Sequence, residues 1–139
     1  MSLYEQFATN KEAEVEGVEV TYGANADKTV PTFRISRMSK ANKKYTKALE
    51  RATRPHRRAI ELETMNNDLA ESLFMGVFVD TVLLGWSNVQ GRDGKAISFT
   101  KENALKFFSE LPELYDDLQE KAKKASLFRD ESLEGEAKN

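Results

Sequence analysis

Apolar and polar residues alternate along residues 13–22, AEVEGVEVTY, with Val18, Val20 and Tyr22 on one side and Glu19 and Thr21 on the other. A period of two is that of a half-buried strand. Residues 29–38, TVPTFRISRM, alternate in the same way through Phe33, Ile35 and Arg37, and Gly23 to Asp27 offer turn residues in between. Together the two stretches predict a β-hairpin over about 13–38 with a long loop. Pro31 has no amide to donate, which places it on an edge strand or among the first residues of its strand.

Beyond Ser39 the period lengthens to that of a helix. Ser39 is the expected N-cap of KANKKYTKALERAT, because its hydroxyl can accept from an orphan amide of the first turn. Pro55 disfavours helical geometry at Arg54 and can open a second helix, PHRRAIELETM. Asn66, Asn67 or Asp68 caps a third, which carries the apolar run ESLFMGVFVDTVLLGW over 71–86. The Asp93-Gly94 pair in WSNVQGRDGKAISF predicts a turn between two short strand-like pieces. Thr100 caps a fourth helix, KENALKFFSEL, and Pro112 begins a fifth, PELYDDLQEKAKKA. The expected fold is mainly α (α+β). It has about five helices, an N-terminal hairpin and a short Asp-Gly hairpin in one domain over 1–128, followed by a disordered acidic tail over 129–139.

The apolar run is too short for a membrane span of about 20 residues, and Asp80 at its middle would cost about 2.5–3.5 kcal/mol in hydrocarbon. Leu69, Leu73, Val77 and Leu84 share helical spacing, as do Phe74, Phe78 and Val82, so the helix is apolar around most of its circumference. This is the pattern of a central helix surrounded by others. A sharper reading leaves part of its aromatic edge, with Trp86, exposed to hold an apolar helix of another protein.

With 139 residues the chain can bury a real core. It has no cysteine, which excludes disulfides, thiolate nucleophiles and cysteine zinc sites. The N-terminus, MSLYEQFATNKEAE, lacks a basic segment followed by an apolar one and does not read as a secretory leader. The net charge of −2 conceals strong segregation: between Arg34 and Arg58 ten Lys or Arg face Glu50 alone, whereas both flanks are acidic. Such a field implies an electrostatic partner inside or outside the fold.

Enzyme chemistry is not legible. The only histidine, His56, sits in RPHRR, where neighbouring cations oppose proton uptake and metal binding. QGRDGK lacks the spacing and preceding strand of a phosphate loop, and the carboxylates of PELYDD do not form a marked acid-base pair. No catalytic residue, cofactor site or metal site is expected. The charged faces say more. Lys40, Lys44, Lys47, Arg51, Arg54 and Arg58 recur at three and four residues and align on one helical face if Pro55 only kinks the helix. Glu113, Asp116, Asp117 and Glu120 form a shorter acidic face. Solvated faces, complementary docking within or between subunits, and phosphate binding remain open for them. An acidic pI and a single interleaved aromatic, Tyr45, count against nucleic acid.

The segment GWSNVQGRDGKAISFTKENALKFFSELPELYDDLQEKAKKASLFRDE resembles the tail assembly chaperones of long-tailed bacteriophages with non-contractile tails. The features are a helix ending in Gly85-Trp86, the turn from Gly91 to Gly94, Phe99 and KEN opening a helix, LPEL at the next junction, and Phe128 before an acidic tail. PTFRISRMSKANKKYTKALERATRPHRR is similar to the N-terminal half of the same family, so the resemblance runs from about Phe33 to Phe128.

The resemblance implies a non-enzymatic protein of the host cell cytoplasm, absent from the mature virion. Such a protein binds the long, helical tape measure protein, keeps it soluble, and helps the major tail tube protein polymerise around it. Many members have a minor form extended by a −1 ribosomal frameshift. Here Ala137, Lys138 and Asn139 can be encoded GCA AAA AAC or GCA AAA AAU, which hold a slippery heptamer in frame. Client binding calls for an apolar surface, for which Trp86, Phe107, Phe108, Leu127 and Phe128 are the candidates, with core packing as the alternative for each. The charged faces could stack copies into rings or filaments. A different class, a small nucleic-acid-binding or regulatory protein using residues 34–58, remains as the alternative.

Overall fold

A computed structural model of the chain describes residues 2–129; the acidic tail beyond Arg129, including Ala137 to Asn139, lies outside the described residues. Two short helices, α1 (Leu3–Phe7) and α2 (Lys11–Glu16), precede the strands β1 (Val18–Thr21) and β2 (Thr32–Ile35). Helix α3 (Lys43–Thr53) runs through a 3₁₀ turn at Arg54–His56 into α4 (Arg57–Glu61). Helix α5 (Asn67–Val77) passes through a π turn at Phe78–Val82 into β3 (Leu83–Ser87). Helices α6 (Lys101–Glu110) and α7 (Pro112–Lys123) and a 3₁₀ turn at Ala125–Phe128 complete the described chain. The expected mainly helical α+β class is what is found. The sheet is antiparallel, in the order β1-β2-β3.

The hairpin forms as its alternation predicts. Val18 stands opposite Ile35 and Val20 opposite Phe33, with Val20, Phe33 and Ile35 buried and Glu19, Thr21 and Arg34 exposed. Pro31 lies just ahead of β2, where its carbonyl accepts from the amide of Tyr22 at 3.1 Å and the missing donor removes one bond at the end of the ladder. The strand expected from residue 13 is corrected: it begins at Val18, and residues 11–16 are helical. Asn10 caps that helix by accepting from the amides of Glu12 and Ala13 at 3.0 and 3.2 Å. Gly17 ends it at φ 95°, where a Cβ would meet Leu84 Cδ1 at 2.7 Å and Arg34 Cγ at 2.9 Å. Helix α1 was also not foreseen.

Three further expectations are corrected. The cap of α3 is Asn42, not Ser39: Asn42 Oδ1 accepts from the Tyr45 amide at 3.2 Å while its Nδ2 donates to the Arg37 carbonyl at 2.8 Å. Ser39 instead accepts from Ala41 in the preceding turn. Arg54 keeps helical angles, φ −53° and ψ −48°, despite the proline that follows, and the chain absorbs Pro55 in the 3₁₀ turn. The apolar run does not stay helical to Trp86. It leaves the helix at Val82, because Ser36 donates its amide to the Val82 carbonyl at 2.9 Å and its hydroxyl to the Thr81 carbonyl at 3.1 Å, and β3 then pairs with β2. The run is apolar because a helix end and a strand cross the core in succession.

Thr100 and Pro112 begin α6 and α7 as expected, with Thr100 Oγ1 accepting from the Asn103 amide at 3.0 Å. The Asp-Gly hairpin is reduced to a turn with Gly94 at φ 79° and a single bridge, Gln90 to Ala96. The core gathers Phe33, Ile35, Phe78, Val82, Phe108, Leu118 and Ala122 between one face of the sheet and helices α6 and α7. Its rings meet edge to face, Phe78 against Tyr115 at 5.3 Å and Phe33 against Trp86 at 5.9 Å. Burial drives the Tyr115 hydroxyl up to about 12, with the Asp116 carboxylate adding to the shift.

Candidate interaction surface

The five apolar residues singled out from the sequence fall into two groups. Phe108 and Phe128 are fully buried, and the Arg37 guanidinium lies over the Phe128 ring at 5.7 Å, so neither offers surface to a client in this conformation. Their place beside an acidic tail and in a KFF pair reflected core packing. Trp86 and Phe107 are half-buried against one another, ring centres 5.9 Å apart, and the Trp86 indole donates to the Ile97 carbonyl at 2.8 Å. Leu127, 40% exposed, is the one that stands open.

The basic face survives with one loss. Lys40 lies in the turn ahead of α3 and is not on the helix, whereas Lys44, Lys47, Arg51, Arg54 and Arg58 follow one another, all exposed, along α3, the 3₁₀ turn and α4. Only Arg54 is held in an ion pair, to Glu50 at 2.8 Å in the same helix, and that contact keeps the Glu50 carboxyl below the usual carboxylate range. On α7, Glu113, Asp116 and Glu120 are exposed, but Asp117 is engaged by Lys121 and by the Tyr22 hydroxyl. Those two contacts, Lys121 first, depress the Asp117 carboxyl. Burial, reinforced by Asp117, raises the Tyr22 hydroxyl. Among the described residues no ion pair joins the basic face to the acidic one.

A larger feature emerges where α3, α4 and α5 leave the sheet. Not one residue from 43 to 76 is buried. Tyr45, Ala48, Leu49 and Ala52 reach half burial where α3 packs on α5, and the outer side carries Ile60, Leu62, Leu69 and Phe74, of which Leu62 is 61% exposed. Helical stability in proteins comes mostly from a buried apolar face. Here that face is shallow and partly open to solvent. The expectation of a central helix is corrected accordingly: only its last turn, from Val77, enters the core.

Between α3 and α5 runs a groove of about 600 Å³. Ala48, Ala52, Leu73, Gly76 and Val77 supply an apolar floor, and Lys44, Arg51 and Lys101 stand at its rim, with Lys101 paired to Asp80 at 2.7 Å. A Cβ built on Gly76 would touch nothing within 4 Å, so the glycine keeps the groove open where the fold itself has room for a side chain. The arrangement suits an apolar helical segment with acidic flanks. Sequence reasoning passed over Ile60 and Leu62 and read Leu69 and Phe74 first as parts of a central helix, because helical spacing alone does not distinguish a buried apolar face from an open one. Their signal was the coincidence of that spacing with seven cations in 43–58, which solvate an arm unable to dry itself.

Among the described residues no group of three or more His, Asp or Glu is placed to hold a metal ion, and no helix is long and apolar enough to cross a membrane. A family model described as YdaY prophage protein matches residues 40–139. No curated protein and no solved structure matches the chain.

Proposed function

We propose that this chain, which belongs to the YdaY prophage protein family and is phage-derived, is a non-enzymatic tail assembly chaperone. It binds the tape measure protein, keeps it soluble in the host cytoplasm, and promotes polymerisation of the tail tube protein around it before being lost from the finished virion. The observation that carries this reading is the arm of residues 43–76: two packed helical limbs that bury no residue and expose Ile60, Leu62, Leu69 and Phe74 among cations. A chaperone for a long helical client needs an apolar surface that grips many segments weakly, and enough charge to keep the complex dissolved. The arm supplies both, and Leu127 with the open edges of Trp86 and Phe107 supplies a smaller apolar area.

Co-purification tests the reading. A tagged chain, co-expressed with the tape measure protein of the same prophage, retains it through affinity and size-exclusion steps. The double substitution Leu62→Asp with Phe74→Asp loses at least ten-fold of that retention while the circular dichroism of the chaperone is unchanged. Retention equal to the parent chain's would remove the arm from the client surface, and no complex with the parent chain would remove the function. The coding DNA gives an independent check: a slippery heptamer across Ala137 to Asn139 and a long open −1 frame are expected.

The exposed cations of α3 and α4 favour one second reading, a small nucleic-acid-binding protein. It requires DNA affinity that falls steeply with salt, as released counterions dictate. Charge reversal at Lys47 and Arg58 would abolish such binding but leave an apolar client on the arm.

A further inference from the structure

The groove between α3 and α5 combines an apolar floor, centred on Ala48, Leu73 and Gly76, with a net positive rim. Lys44 and Arg51 have no ion-pair partner among the described residues, and Lys101 is balanced by Asp80. A segment that fits such a groove carries an apolar side chain between acids. Residues 130–136 of this chain, DESLEGE, have that pattern: Leu133 follows Asp130 and Glu131 and precedes Glu134 and Glu136. Three contacts fix where this segment starts. Phe128 is buried with the Arg37 guanidinium over its ring at 5.7 Å, the Arg37 carbonyl accepts from Asn42 Nδ2 at 2.8 Å, and Asn42 is the N-cap of α3. The chain beyond Arg129 therefore departs near the N-terminal end of α3, where Lys44 opens the groove. Ala52, the last groove residue of α3, lies about 15 Å along the helix from Asn42 at the usual rise. Seven extended residues span about 23–25 Å, so 130–136 reach the whole groove.

We infer that residues 130–136 dock in the groove between α3 and α5 of their own chain, with Leu133 in the space beside Gly76 and the flanking acids against Lys44 and Arg51. The open site at Gly76 leaves room for the leucine. Charge steers the segment the same way: the exposed Glu113, Asp116 and Glu120 of α7 repel it, and Lys123 and Lys124 at the end of α7 offer charge without a groove. Tethering completes the argument. Joined to the body at Arg129, the segment meets the groove at an effective concentration on the order of millimolar, so a contact too weak to persist between separate molecules is populated within one. An acidic-flanked helix arriving from another protein then has to displace it. The inference rests on the groove and the adjoining sequence and stands whether or not the chain binds a tape measure protein.

Paramagnetic relaxation in the full chain tests it. The chain has no cysteine, so Ser132→Cys takes a nitroxide label at a single site. The label should speed relaxation of the Ala48, Leu73 and Gly76 amides, and the enhancement should fall at least about three-fold in about 1 M salt, where the screening length is about 3 Å. It should not depend on protein concentration. Mixing nitroxide-bearing chains with isotope-labelled chains that carry no nitroxide should give none, which separates a chain's own segment from a neighbour's. Lys44→Glu with Arg51→Glu should abolish the enhancement. Glu131→Lys with Glu134→Lys should do the same while altering no described residue, which keeps the test decisive if the rim variant disturbs α3. The inference is overturned if the groove amides show no enhancement, or if it centres instead on Lys123 and Lys124. An enhancement that arises only between molecules, or that survives the Glu131→Lys, Glu134→Lys variant, also overturns it.

Discussion

Phe128 shows how a single residue's neighbours in sequence can mislead about its surroundings. It precedes an acidic tail, which suggests a surface position, yet it is fully buried under Arg37. Phe128→Ala should cost about 3–5 kcal/mol in denaturant unfolding, the cost of emptying a core phenylalanine site. Leu62→Asp, on open surface, should change stability by no more than about 0.5 kcal/mol. A reversal of that order would mean that the aromatic, not the arm, faces solvent. The Tyr22, Asp117 and Lys121 cluster gives a pH signature. Asp117 is held below its ordinary 3.8, so its contribution is present above that pH and is lost as pH falls through the lowered value. Tyr22 is held above its ordinary 10.0, so its contribution is present below that pH and is lost as pH rises beyond it. Tyr22→Phe should flatten both limbs of the stability profile relative to the parent chain, measured by thermal melts across the range.

Among the elements, those with a local cause were legible and those with a distant cause were not. Thr100 and Pro112 begin their helices because a cap and a fixed φ act within one turn. The hairpin follows from alternation for the same reason. The end of the apolar helix at Val82 is set instead by Ser36, more than forty positions away in sequence, whose hydroxyl and amide take the last carbonyls and admit β3 to the sheet. Ser36→Ala should cost about 1–3 kcal/mol, since a buried carbonyl loses a donor; a neutral effect would mean that the backbone amide of residue 36 and β3 fix the helix end without the hydroxyl. Gly17 is a comparable case: the turn from α2 to β1 needs its φ of 95° and has no room for a methyl group against Leu84. Gly17→Ala should destabilise by about 1–3 kcal/mol, through both strain and contact. Nothing within its own stretch, AEVEGVEVTY, signals that requirement.

The whole molecule divides its residues unequally between a core and an arm. Sheet, π turn, α6 and α7 hold most of the buried side chains, while residues 43–76 hold none. Composition revealed the charge segregation but not its purpose, because a solvated face, a docking face and a client-binding face read alike until burial is known. Of the surface residues proposed from the sequence, the cations of α3 and α4 remained in place, whereas Phe108 and Phe128 went to the core. Local unfolding should follow the same division. In hydrogen exchange, amides of α3 to α5 should exchange faster than those of β2 and α7, with protection of the arm rising when a client is bound.

The most direct test of the chaperone reading is the fraction of tape measure protein that stays in the supernatant after centrifugation, measured at increasing ratios of this chain. The expected result is a rise to a plateau with the parent chain and little rise with the Leu62→Asp, Phe74→Asp double variant. A tape measure protein that sediments equally with and without the parent chain would contradict the reading.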